Sequence, residues 1–275
     1  MKDKILLIDA LNQIHRANIT FGKPPPQDEV DYTIVYNFFK SFRFLVQEFD
    51  PKIICFVLEG HPQFRYDLNA DYKANRIVKT GDDKKVKSNE RFHFQKRIIK
   101  DLLQHLPVKQ FVASNYECDD VIASLATSLK DEEVTIISND SDYIQLLQND
   151  INVKIYNPIK KEYMKAPDYH YLVWKSLAGD KSDNIKGVVG PAKATKLSND
   201  PALLKAFLSV KENEELFYNN YNLIKFAEVK DEDMQITEGV TNFDYIKEQF
   251  VKMKFDSMLE EKAWNRFVNT FNKIS

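Results

Sequence analysis

"KILLIDA", residues 4–10, runs four consecutive apolar side chains into an aspartate, Asp9. A short unbroken apolar run has no polar face to turn to water, so it reads as a strand buried on both faces of a parallel sheet. "KIICFVLEG" at 52–60 repeats the pattern and closes on Glu59 and Gly60, and "EVTIISND" at 133–140 closes on Asp140. "KQFVAS" (109–114) is a shorter strand candidate, and "NVKIYNP" with "KEYMKA" predicts a strand or hairpin near the far edge. Between these runs lie helical spacings, as in "TIVYNFFKSFRFLVQEF" (33–49) and "FQKRIIKDLLQHL" (94–106). Strands alternating with helices over the first 165 or so residues predict an α/β fold on a mostly parallel sheet. From about 168 onward the pattern is mainly helical, with no internal repeat.

Three strand candidates that end on acid have a functional meaning. In open α/β sheets ligands bind at the carboxyl ends of the strands, so Asp9, Glu59 and Asp140 are expected on one rim. "NYECDDVIASL" (115–125) starts a helix after a strand and brings Glu117, Asp119 and Asp120 to the same rim. Glu117 and Asp120 share a helical face at i,i+3, as do Asp180 and Asp183, and Asp142 follows Asp140 at a strand–helix junction. A single Asp at a helix start is more often an N-cap than a ligand. Capping alone does not predict nine acids at strand ends and matching helix starts.

The whole-chain charge of −2 hides a segregation. Lys73, Arg76, Lys79, Lys84, Lys85, Lys87, Arg91, Lys96, Arg97 and Lys100 face only Asp82, Asp83 and Glu90 between residues 73 and 100. A basic segment beside an acidic centre suits a protein that holds a phosphate backbone and binds cations. With 43% apolar residues in a chain of 275, an ordinary globular fold is expected. Cys55 and Cys118 are the only cysteines, too few for a disulfide framework and wrongly spaced for zinc. No run reaches the roughly 18 apolar residues of a membrane span, and the chain opens without a leader pattern. A cytoplasmic location without membrane attachment is the expectation.

Carboxylates crowded this closely raise one another's pKa unless cations neutralise them. An all-oxygen set suits Mg²⁺, with Mn²⁺ as a substitute, and nine acids are enough for two or three ions. Paired metals about 3.5–4 Å apart generate hydroxide and stabilise the leaving oxygen in phosphodiester cleavage. No Gly-Lys-Ser/Thr phosphate loop is present, which argues against nucleotide triphosphate hydrolysis.

Five blocks carry a resemblance: "LLIDALNQIHRA" (6–17), "FRYDLNADYKANR" (64–76), "YECDDVIASLA" (116–126), "IISNDSDYIQLL" (136–147) and "SLAGDKSDNIKGVVGPAKATKL" (176–197). In this order they resemble the 5′-nuclease (flap endonuclease) superfamily, most closely its stand-alone bacteriophage 5′-exonuclease and ribonuclease H proteins. The resemblance implies a PIN-like core over 1–167, with a helical arch at about 64–100. It also implies a helical region over 168–275 containing a helix–three-turn–helix module at about 176–197. Asp9, Glu117, Asp119, Asp120, Asp140, Asp142, Asp180 and Asp183 would be metal-site residues. Glu59 joins them as a departure, since the family usually has Asp before that Gly.

Lys73 and Arg76 match basic residues at the base of the family's arch, where cations would stabilise the scissile phosphate. Tyr72 is a candidate for stacking on a base. In the hairpin, Gly187 and Gly190 permit tight turns, and Lys186, Lys193 and Lys196 add charge for a duplex backbone. The resemblance further implies a monovalent cation in the hairpin at 185–190. The expected activity is a two-metal 5′→3′ exonuclease and flap endonuclease, acting as a monomer. Its substrates would be branched or nicked duplex DNA with a 5′ single strand, and RNA–DNA hybrid. Removal of RNA primers or flaps in replication is the expected role, in a bacterial host cytoplasm if phage-encoded. A single-strand DNA-binding protein or other replication proteins are the candidate partners. Two rivals remain, a PIN-type single-strand ribonuclease and a catalytically idle DNA-binding protein.

Overall fold

Ile5, Leu6, Leu7 and Ile8 are each at most 3% exposed, which places the opening apolar run at the centre of the molecule. The computed structural model describes residues 2–19, 30–76 and 83–274. In chain order these form β1 (Lys4–Asp9), α1 (Ala10–Ile19), α2 (Thr33–Phe49), β2 (Ile53–Val57) and α3 (Gln63–Leu68). A 3-10 turn (Ala74–Arg76), α4 (Asp83–Leu103), β3 (Lys109–Ala113), α5 (Cys118–Ser128) and β4 (Glu133–Ile137) follow. Next come a 3-10 helix (Ser141–Gln148), β5 (Val153–Asn157), β6 (Glu162–Tyr163), α6 (Tyr171–Ala178), α7 (Pro191–Asn199) and α8 (Pro201–Phe207). The chain continues through α9 (Lys211–Ile224), β7 (Met234–Glu238), α10 (Phe243–Lys252), α11 (Asp256–Leu259) and α12 (Glu261–Phe271).

The seven strands lie in the order β6-β5-β4-β1-β2-β3-β7. The inner five run parallel, and β6 and β7 pair antiparallel at the two edges. Successive side chains of a strand point to opposite faces. Leu6, Ile8, Ile54 and Phe56 therefore enter one apolar cluster, while Ile5, Leu7, Cys55 and Val57 enter the other. The chain leaves β1 toward β2 on one side and reaches β4 on the other, so the strand order reverses beside Asp9. Such a switch point opens a crevice at the strands' carboxyl ends.

α2 buries Ile34, Val35, Phe38, Phe39, Phe42, Leu45 and Val46 on one helical stripe. It stops where Asp50 adopts a left-handed φ of 44° and donates its N–H to the Val46 carbonyl at 2.9 Å, with Pro51 next in line. Each aromatic ring buried there is worth roughly 1.5–3 kcal/mol.

The C-terminal part differs from its sequence reading. Beyond residue 167 the chain is not only helical: β7 returns to pair with β3, and α10 and α12 bury rings against α2. The Phe39 and Phe250 centroids are 5.6 Å apart, and those of Phe42 and Phe271 5.0 Å. β7 escaped notice because four of its five residues are exposed, so it has no apolar run to read. Within the expected arch at about 64–100, residues 77–82 lie outside the described residues. Among the described residues no helix is long and apolar enough to cross a membrane.

Candidate active site

At the carboxyl edge of the sheet the structure forms a cavity of about 440 Å³. Eight of the nine expected acids line it: Asp9, Glu59, Glu117, Asp119, Asp140, Asp142, Asp180 and Asp183. They arrive from five separate stretches of chain. Asp9 ends β1, where its carboxylate accepts the Asn12 N–H at 2.9 Å and the Ser138 hydroxyl at 3.1 Å. The Ser138 hydroxyl oxygen in turn accepts the Asp140 N–H at 3.1 Å, which ties the ends of β1 and β4 together. Asp140 caps the 3-10 helix by accepting the Asp142 N–H at 2.9 Å, so the same carboxylate is both cap and cavity wall.

Two basic groups divide the acids. On one side Lys73 meets Glu117 closely and lies 3.7 Å from Asp183, and Arg76 pairs with Asp183. Asn75 and Arg76 also donate to the carbonyls of Lys181 and Ser182, at 2.8 and 3.3 Å. "DYKANR" is therefore laid directly on the "GDKSDN" turn, more than 100 residues further along. On the other side Lys175, only 7% exposed, reaches Asp142 and lies 2.7 Å from Asp180.

Asp9, Glu59 and Asp119 have no salt-bridge partner of this kind among the described residues. Burial lifts the Asp9 carboxyl to about 6, with Asp140 adding to the rise. Burial, then Glu117, lifts Glu59 to about 7. Asp119 is pushed well above the carboxylate range, first by burial and then by Asp120 and Glu117. Asp142 rises to about 6 because burial outweighs the help of Lys175. Asp180 falls to about 2: burial opposes ionisation, but Lys175 and the donors of Ser182 outweigh it.

A divalent cation fits this donor set. The wall is rich in carboxylate oxygen, and oxygens of Glu117 and Asp119 lie within 4.8 Å of each other. Hard cations take such ligands. Cys118 is no competitor, since burial raises its thiol pKa and the thiol donates to the Val57 carbonyl.

Asp120 and Tyr72 are placed otherwise than the sequence suggested. Asp120 is fully buried and does not line the cavity. Its oxygens accept from Arg65 at 2.5 and 2.7 Å, from the Ala227 N–H at 2.8 Å and from the Glu117 N–H at 3.1 Å. Nothing in the sequence shows this, because Arg65 stands 55 residues away. Tyr72 is 2% exposed and donates its hydroxyl to Glu117 at 2.9 Å, so its ring packs in the interior and offers no face to a base.

The hairpin glycines also differ from each other. A Cβ on Gly187 would meet the Ala178 carbonyl oxygen at 2.2 Å, whereas one on Gly190 would meet nothing within 4 Å. Gly187 is thus required by close approach, while Gly190 leaves the start of α7 open. Lys186, Lys193 and Lys196 are exposed and lie outside the cavity.

Sequence reasoning missed Lys175, Arg65 and His15. Lys175 had a weak signal, a lone cation inside the apolar stretch "YLVWKSLA". His15 lines the cavity and stacks on Phe92 with ring centroids 4.4 Å apart.

Residues 4–172 match the family described as 5'-3' exonuclease, N-terminal resolvase-like domain. A 5'-3' exonuclease of Buchnera aphidicola is 27% identical over 270 residues, covering 93% of this chain and 88% of that protein. The thermostable DNA polymerase I of Thermus aquaticus is 31% identical over 224 residues, covering 75% of this chain. This chain spans about a quarter of the length of such polymerase relatives. Among solved structures, the T5 5'-exonuclease with bound zinc superposes with a TM-score of 0.66 at 17% identity, covering 98% of this chain and 99% of that one. The catalytic core of Rad2 in complex with DNA substrate superposes at 0.54 with 16% identity, covering 90% and 86%. With the family matched over more than half its length, the chain belongs to the 5'-3' exonuclease family.

Proposed function

We propose that this chain is a metal-dependent 5′→3′ exonuclease and flap endonuclease that removes RNA primers or 5′ flaps during DNA replication. The observation that carries the reading is the convergence of eight carboxylates on one cavity whose rim also holds Lys73, Arg76 and Lys175. The acids of that cavity would hold Mg²⁺, or Mn²⁺ in its place, in two or three positions. Bound there, the ions supply a hydroxide nucleophile and stabilise the leaving oxygen.

The chain's own groups do the rest. Lys73 and Arg76 line the same cavity as the strand-end acids, so a phosphodiester held there would meet positive charge beside the carboxylates. The turn at 185–190 and the exposed Lys186, Lys193 and Lys196 suit a duplex backbone, which positions without reading sequence. A monovalent cation in that turn belongs to the same reading.

The relatives named above support a 5′ polarity, and the T5 enzyme with zinc and the Rad2 core with DNA support metal and DNA as ligands. The hairpin docked on "DYKANR" counts against a single-strand ribonuclease, which has no duplex to hold. Retention of eight acids in one cavity counts against an idle binding protein. With Mg²⁺ and a 5′-labelled flap or RNA-primed duplex, purified protein is expected to release short 5′ products. A chelator should stop it. A ladder of 5′-labelled strands shortened only from the 3′ end, or cleavage of single-stranded RNA alone, would overturn the reading.

A further inference from the structure

Arg65 is 1% exposed, and each of its guanidinium nitrogens is committed to a partner. Nη1 lies 2.5 Å from Asp120 Oδ2 and 3.0 Å from Glu117 Oε2. Nη2 donates to Asp120 Oδ1 at 2.7 Å and to the Lys225 carbonyl at 3.2 Å, and Nε donates to the Leu223 carbonyl at 2.9 Å. Four of these contacts are hydrogen bonds, and the approach of Nη1 to Glu117 is an ion pair. Asp120 is equally committed: each oxygen accepts one bond from Arg65 and one backbone N–H, from Ala227 or Glu117. A carboxylate so occupied has no free lone pair for a cation.

The pair lies directly behind the cavity wall. Arg65 draws Oε2 of Glu117 inward, while Oε1 of the same carboxylate faces Lys73. It also fastens the end of α9 and the residue after it to the head of α5 through the carbonyls of Leu223 and Lys225. Through its Asn220 side chain α9 donates to the carbonyls of Ser176 and Lys186, in the stretch that carries Lys175 and Asp180.

We propose that Arg65 is a positioning residue: paired with Asp120 as its buried counter-ion, it fixes the Glu117 carboxylate with one oxygen turned to the cavity and ties the two halves of the acidic rim together. This rests on the nuclease reading for its functional consequence, since a correctly aimed Glu117 matters where a cation is to be held. Groups that orient ligands from behind typically cost 10–100-fold in metal affinity or activity when removed.

The test uses the double variant Arg65→Met/Asp120→Leu. Replacing both members of a buried ion pair by apolar groups of similar volume is often neutral for stability. The double variant is expected to melt near the wild type and to bind 5′-ended duplex in EDTA within about twofold of it, since substitutions act weakly on sites with which they share no partner. Its Mn²⁺ binding, read directly by electron paramagnetic resonance, should weaken about tenfold or more, and kcat should fall on the same scale. Arg65→Lys keeps the buried charge but not the fork; it carries the same reading where the double variant does not fold. A folded variant with wild-type Mn²⁺ affinity and wild-type kcat overturns the proposal and leaves the pair as packing only. Wild type that binds Mn²⁺ yet cuts no 5′-ended substrate overturns the nuclease reading, and the Mn²⁺ comparison still decides Arg65. Wild type that binds no Mn²⁺ overturns both.

Discussion

Asp9 and Glu59 are carboxylates that burial holds above their ordinary range, at about 6 and about 7 against 3.8 and 4.5. The folded state therefore binds more protons than the unfolded chain between about pH 4 and pH 7. Where that is so, stability falls as pH rises, and the loss is complete above the folded pKa. Asp180 has the opposite sign, being lowered to about 2. Its contribution is present above its ordinary value of 3.8 and is lost only as pH falls toward 2. The metal-free protein is thus expected to melt at a lower temperature at pH 8 than at pH 5. Added Mg²⁺ should raise the melting temperature more at pH 8, where the acids are ionised and ready to take it. Scanning calorimetry in EDTA and in Mg²⁺ at the two pH values checks this; a metal-free protein more stable at pH 8 would contradict it. Asp9, Glu59 and Asp140 were legible in the sequence because a strand end is a local pattern. The pairing of Asp120 with Arg65 was not legible, because the two lie 55 positions apart and nothing local marks it.

At the scale of elements, the parallel strands were legible for the same local reason, and the β5–β6 hairpin appeared where the sequence placed it. β7 was not, because an exposed edge strand carries no apolar run and owes its shape to pairing with β3. The turn between α6 and α7 offers a sharper comparison. Gly179 has a φ of +76°, and Gly187 sits against the Ala178 carbonyl. Gly190 faces open space with a φ of −71° that any residue adopts. Gly187→Ala is therefore expected to lower stability and to weaken duplex binding severalfold by displacing the turn. Gly190→Ala should fold as the wild type does. Melting curves and binding to a nicked duplex in EDTA distinguish them, and equal effects of the two substitutions would contradict the placement of the turn.

Over the whole molecule, a net charge of −2 conceals an acidic cavity set against a basic run that begins at Lys73. The sheet brings acids from five separated stretches to one edge, and the hairpin turn closes the ring from beyond residue 179. That convergence was legible in outline from strand ends alone. The closing cations were not all seen: Lys175 reaches Asp142 across 33 positions, and only the packing of α6 on the 3-10 helix reveals it. We propose above all that these carboxylates perform phosphodiester cleavage and do not merely shape a surface. Asp140→Asn keeps the size of the side chain and its oxygen for the Asp142 N–H while removing one charge from the cavity. Single-turnover cleavage of a 5′-labelled flap in Mg²⁺, measured beside binding of the same flap in EDTA, tests the claim most directly. The cleavage rate is expected to fall at least about a hundredfold, roughly 2.7 kcal/mol of barrier, with binding unchanged or tighter. Cleavage at the wild-type rate by a folded Asp140→Asn protein would contradict it.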